Sequence, residues 1–138
     1  HLPFEDKTFG CILIVVTLCF VKDPLAVLRE AKRVLKSDGS IIIGLVPRDS
    51  SWGSLYEEKG KAGHPLYSNA RFYTVKEIEN MLQTTRLKIS RIRSTLLQRP
   101  DEQRKIEDSV EGPARDAGFL CIEVKKKTEF QFSERTQI

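Results

Sequence analysis

The sequence predicts an α/β fold organised around a parallel strand pair, and three stretches predict it. Residues 11–16 (CILIVV) are an uninterrupted apolar run rich in β-branched side chains, which suits a central strand with helices on both sides. After Asp23-Pro24, apolar residues recur at helical spacing (Val27, Leu28, Ala31, Val34, Leu35), with Arg29, Glu30, Lys32, Arg33 and Lys36 on the opposite face. A second apolar run, residues 41–46 (IIIGLV), follows. Strand, helix and strand within about 35 residues make a βαβ unit, which implies parallel neighbours and a right-handed crossover.

Each element has a local cause. Asp23 caps the first helix and Pro24 sits at its first position, where a missing N–H costs nothing. Ser37-Asp38-Gly39 is expected to stop that helix and turn the chain. Residues 47–69 hold Trp52, Tyr56, His64 and Tyr67 among Gly, Ser and Pro; at that length they predict a functional loop with some helix inside, or a lid. Thr74-Val-Lys-Glu77 matches a capping box, and Val75, Ile78, Met81 and Leu82 form the apolar stripe of a second helix. Residues 87–97 predict a strand whose apolar phase slips between Ile89 and Ile92, as at a bulge or an edge. The charged stretch 99–117, with Pro100, Gly112 and Pro113, reads as a long connection. Residues 118–124 (GFLCIEV) are a last strand, and 125–138 a polar tail.

The composition, 40% hydrophobic and 30% charged over 138 residues, excludes collagen-like, mucin-like and wholly disordered chains and fits one domain. The longest apolar stretch, residues 11–21, is interrupted by Thr17 and falls short of the roughly 20 residues that span a bilayer, so no membrane span is expected. The chain opens on His1-Leu2-Pro3-Phe4 without a leader pattern, as a piece of something longer would. Its 23 basic and 19 acidic residues are interspersed, which describes a mildly basic surface and no nucleic-acid stripe. Lys125-Lys126-Lys127 reads as a solvated edge that discourages aggregation. Cys11, Cys19 and Cys121 form an odd set without CxxC spacing. Two of them lie in apolar stretches expected to be buried, which predicts a reducing, cytoplasmic setting without disulfides or zinc. With His1 and His64 the only histidines, no metal site is expected.

Several motifs in order carry a resemblance. The run Leu2-Pro-Phe-Glu-Asp-Lys-Thr-Phe9, the strand at 11–16, the Asp23-Pro24 helix start, Leu28-Arg-Glu-Ala-Lys-Arg-Val-Leu-Lys36 and Asp38-Gly39 resemble the second half of class I S-adenosylmethionine (SAM) dependent methyltransferases. Ser51-Trp52-Gly53, Tyr56, Ala70-Arg71-Phe72-Tyr73-Thr74 and the capped helix look like their small-molecule branch, which includes the ubiquinone and menaquinone biosynthesis type. The sequence departs from that pattern at Gly10, where an Asp is usual, and at Ser37-Asp38-Gly39, where Pro-Gly-Gly is usual. It also holds no G-x-G-x-G loop, and the acidic residue that grips the donor ribose would lie upstream.

The resemblance implies a Rossmann-like, doubly wound sheet with ligands beyond the carboxyl ends of its strands, of which this chain supplies strands four to seven and two main helices. It implies SAM as cofactor, with Val16, Thr17, Leu18 and Phe20 beside the donor's methionine and methyl end; all but Thr17 serve equally well as core. It places Trp52, Tyr56, His64, Tyr67, Arg71, Phe72 and Tyr73 on the side of a small-molecule methyl acceptor. Packing is the alternative for each: Trp52 and Phe72 pinning the loop, Arg71 bonding carbonyls or a surface carboxylate, Tyr73 stapling the capped helix, and His64 exposed to solvent instead of acting as a base. No catalytic residue is named, because methyl transfer is an in-line displacement that alignment in a dry pocket accelerates. The piece alone is expected to be inactive, and its strand 11–16, deprived of a neighbour, to pair with its counterpart in a homodimer. Two other readings stand beside this one: a non-catalytic half-fold used for interaction or dimerisation, and another doubly wound, nucleotide-binding protein.

Overall fold

The computed structural model describes residues 1–128. Helix α1 (Pro24–Val34) starts as its sequence dictates: Asp23 Oδ1 accepts the Ala26 N–H at 2.9 Å, and Pro24 fills the first turn. Strands β1 (Phe9–Val15) and β2 (Leu35–Leu45) flank it and pair in parallel, with Ile12 opposite Ile41 and Val15 opposite Gly44. This is the expected βαβ unit.

The helix does not run to Ser37-Asp38-Gly39. Leu35 is already extended, at φ −81° and ψ 133°, and fully buried, so its side chain draws the backbone into the sheet before any turn. Ser37, Asp38 and Gly39 lie inside β2. The ladder accommodates them by an irregularity, since Phe9 pairs with Leu35 but Cys11 with Ser40.

Two further helices follow, α2 (Ser51–Lys61) and α3 (Val75–Thr84), one more than the two main helices expected. The additional one is α2, which lies in the stretch read as a functional loop with some helix inside or a lid, with Ser50 Oγ accepting from the Gly53 N–H at its start. Helix α3 has the full reciprocal box: Thr74 Oγ1 accepts the Glu77 N–H, and the Glu77 carboxylate accepts the Thr74 N–H. Strands β3 (Leu87–Thr95), β4 (Val110–Glu111) and β5 (Phe119–Lys126) complete one sheet of order β1-β2-β5-β3-β4. Strand β5 runs antiparallel to both β2 and β3. The phase slip is a bulge: Ile89 faces Val124 and Arg91 faces Glu123, leaving Ser90 over. Lys125 and Lys126 belong to β5 instead of a tail, and residues 129–138 of the expected tail lie outside those described.

One face of the sheet holds the core. Ile14, Ile41, Ile43, Leu87, Leu120, Ile122 and Val124 cluster with Leu28 and Ala31 of α1 and Ile78 and Leu82 of α3. Alternation along the strands sends Cys11, Leu13, Val15 and Cys121 the other way, and all four are exposed, Leu13 by 69% and Val15 by 50%. The expectation of buried cysteines therefore fails at Cys11 and Cys121, because apolar neighbours in a strand do not share a face. Coverage of the first strand on both faces fails too, since Leu13 and Val15 are exposed, whereas its loss of a neighbour is as expected. Strand β1 is at the sheet's edge, with no strand on its outer side among the described residues.

The chain before β1 is tied to α1 by one side chain. The Arg33 guanidinium donates to the carbonyls of Leu2 and Phe4 and to the carboxylates of Asp6 and Glu30, while Glu30 also accepts the Leu2 N–H at 2.6 Å. Arg33, foremost, and the Leu2 N–H hold the Glu30 carboxyl down at about 2. Among the described residues no helix is long and apolar enough to cross a membrane.

Candidate functional site

Strands β1, β2 and β3 run the same way, so their carboxyl ends lie along one edge of the sheet, beside the amino end of β5. Ligands of open α/β sheets bind at that edge. There the chain leaves β1 through Val16, whose N–H bonds the Gly44 carbonyl at 2.8 Å and whose φ is +48°. A β-branched residue in the left-handed region is strained, and such strain concentrates at functional sites. The turn swings the backbone into a single 3-10 turn, Leu18–Phe20.

Two backbone hydrogen bonds draw a distant segment over this turn. The Arg71 N–H donates to the Cys19 carbonyl at 2.7 Å, and the Arg48 N–H to the Tyr73 carbonyl at 3.0 Å. Val16 to Cys19, Gly44 to Val46, Phe72, Tyr73 and Ile78 then wall an apolar cleft whose free space is about 20 Å³, room for one water or a methyl group. Among the described residues no acidic side chain lines it. The Cys19 thiol in its wall is pushed up by burial and stays protonated. Tyr73 and Ile78 flank the Thr74 cap at the positions of a hydrophobic staple, which fixes the entry to α3 and one wall of the cleft together.

The expected donor-side residues divide. Val16, Thr17 and Leu18 line the cleft. Leu18 is buried in the core, and the Thr17 hydroxyl, donating to the Val15 carbonyl at 3.0 Å, keeps only acceptor capacity. Phe20 is exposed and outside the lining.

Of the expected acceptor-side residues, five form one aromatic column. His64 stacks on Tyr67 at 4.5 Å, Tyr67 on Tyr56 at 4.6 Å, and Tyr56 packs on Phe72 at 6.0 Å and Trp52 at 6.1 Å. Phe72 joins this column to the cleft. Burial raises the Tyr56 hydroxyl above its ordinary range. The Trp52 indole N–H donates to the Gln98 carbonyl at 2.7 Å, which pins α2 to the far loop. His64 is exposed, and its Nδ1 accepts the N–H groups of Leu66 and Tyr67 at 3.2 and 3.4 Å. The Arg71 guanidinium lies 5.4 Å from the centre of the Tyr73 ring, at the rim.

Sequence reasoning missed Cys19, Gly44, Leu45, Val46 and Ile78 in the walls. Gly44 carried a signal, since a glycine inside an apolar strand marks close approach: a Cβ there would lie 2.7 Å from the Phe119 ring and 3.1 Å from Val15. Asp116 was missed as well. Its carboxylate accepts the Ser51 N–H and hydroxyl at 2.6 and 2.7 Å, which holds its pKa below the usual range and closes the start of α2.

Residues 1–43 match the methyltransferase domain family Methyltransf_11. The chain is 40% identical over 122 residues to an uncharacterized protein of Mycobacterium tuberculosis (strain H37Rv), covering 88% of this chain and 43% of that one. It is 38% identical over 125 residues to an uncharacterized protein of Methanocaldococcus jannaschii, covering 91% and 60%. Among solved structures it superimposes, with a TM-score of 0.83 and 35% identity over 92% of this chain and 60% of the other, on a Thermotoga maritima protein described as a SAM-dependent methyltransferase, possible histamine N-methyltransferase. The chain thus spans 43% to 60% of the length of these relatives. It carries the Rossmann-like α/β fold of SAM-dependent methyltransferases, and its residues 1–43 match their domain in sequence.

Proposed function

We propose that this chain supplies the methyl end of the donor pocket and the acceptor wall of a cytoplasmic SAM-dependent methyltransferase that acts on a small molecule. The observation that carries the reading is the strained Val16 turn, which opens an apolar, methyl-sized cleft between the carboxyl ends of β1 and β2. The donor, when bound, supplies a methyl group already activated on a sulfonium. The residues present fit one end of it: Val16, Leu18, Phe72 and Tyr73 offer apolar surface to a methyl and its methylene neighbours, and the Thr17 hydroxyl oxygen retains a lone pair. Phe20 stands outside this wall, where it would flank the donor. Among the described residues the lining holds no acidic side chain to grip the ribose and no cationic one for a carboxylate, so we place those grips outside these residues and expect the chain alone to be inactive. Its contribution is alignment and exclusion of water.

The test is amide-resolved NMR of the chain with millimolar SAM. Shift changes centred on Val16 to Phe20 and on Phe72 are expected. Changes elsewhere, or none, overturn the assignment.

A second reading rests on a different observation, the edge of β1, unpaired among the described residues, with Leu13 and Val15 exposed. In this reading the half-fold is an interaction module, and two copies pair β1 to β1 about a two-fold axis. Light scattering should then give a dimer that Leu13→Lys converts to monomer; a monomeric parent chain at high concentration contradicts it.

A further inference from the structure

The walls of the cleft carry no charge among the described residues, and two guanidinium groups lie beside them. Arg71 is held by its own backbone, its N–H fixed to the Cys19 carbonyl at 2.7 Å, on the segment that crosses the mouth. Its side chain lies against the Tyr73 ring, and Tyr73 is itself a wall residue. The other arginine near this rim, Arg48, is committed, since its guanidinium pairs with Glu77 at 2.9 Å and reaches the Phe72 carbonyl. Arg71 is exposed and pairs with no carboxylate among the described residues. Stacking on an aromatic ring leaves the edge of a guanidinium free, and that edge presents a fork of N–H donors matched to a carboxylate or phosphate.

We infer that Arg71 selects an acceptor with an aromatic or apolar body and an anionic group, the anion on the Arg71 fork and the body outside the methyl-sized cleft, at its mouth, where Val16 and Phe20 are exposed while Phe72 and Tyr73 are buried. The inference rests on the methyltransferase reading for the word acceptor, and it deepens that reading by giving the substrate's charge. A cationic amine would meet the Arg71 charge at a rim whose Glu77 carboxylate is already paired with Arg48. The site therefore differs in preference from what the description of the Thermotoga neighbour names for that protein.

Three probes of one shape test it: phenylacetate, phenylacetamide and 2-phenylethylamine, titrated into the chain while the amides of Phe72 and Tyr73 are followed by NMR. Phenylacetate should bind at least about tenfold more tightly than the amide, with the amine weakest. Arg71→Gln should abolish the difference, and Arg71→Lys, a point charge without the fork, should keep part of it. Equal affinities, a preference for the amine, no binding of phenylacetate, or a carboxylate preference that survives Arg71→Gln each overturns the inference. The SAM-induced shifts at Val16 to Phe20 in the unsubstituted chain are a separate readout. Their absence beside an Arg71-dependent carboxylate preference removes the donor reading and leaves the anion site; their presence without that preference does the reverse.

Discussion

Replacing Val16 by alanine and by glycine should give the opposite order of stability from the same pair of substitutions one residue earlier. Val16 is 42% exposed, so either change forfeits part of a valine's burial, about 1 kcal/mol. The two differ in the backbone. At φ +48° an L-residue pays roughly 1–2 kcal/mol that glycine does not, while glycine loses about 0.5–1 kcal/mol to its freer unfolded chain. The balance favours Val16→Gly over Val16→Ala by about 0.75 kcal/mol at the middle of these ranges. At Val15, extended within β1, the same arithmetic lacks the strain and alanine should win. Urea unfolding of the four variants with a shared slope reads the order from the midpoints. If Val16→Ala proves as stable as Val16→Gly or more so, Val16 is unstrained and the argument from its turn to the site loses its footing.

Two further outcomes follow from other parts of the fold. Glu30 has its pKa depressed from 4.5 to about 2, so the stability it contributes is present above about 4.5 and is lost as pH falls toward 2; acid titration of Glu30→Gln by circular dichroism should show a flatter stability profile across that window. Gly118→Ala would set a Cβ 2.3 Å from Trp52 and 2.8 Å from Leu96, an overpacking worth about 1–3 kcal/mol, visible as a lower urea midpoint and altered tryptophan fluorescence.

The elements that local chemistry decides were legible before the structure. Asp23-Pro24 and Thr74-Glu77 announce helix starts because caps act within four residues, and the strands at 11–16 and 41–46 announce themselves by β-branched runs. The break between α1 and β2 was misplaced because Leu35 answers to the core, a tertiary partner that overrode the turn residues Ser37-Asp38-Gly39. The cysteines were misjudged because a run of apolar residues does not tell which face each occupies, and at an edge strand one face is open. At the site, Phe72 and Tyr73 were named but not their closure over Cys19, which depends on a hydrogen bond between residues 52 positions apart. The aromatic column could be anticipated as a set, whereas its order, from His64 through Tyr67 and Tyr56 to Phe72, required the relative placement of α2 and the turn Tyr67–Asn69.

The most direct test of the central claim is a calorimetric titration of SAM into the 138-residue chain. If these residues provide only the methyl end of the donor pocket, the titration should show no saturable binding tighter than ~100 μM. Saturable binding tighter than that, at one site per chain, would mean that the cleft at Val16 and its surroundings hold the whole donor, and would contradict the division of the pocket argued above.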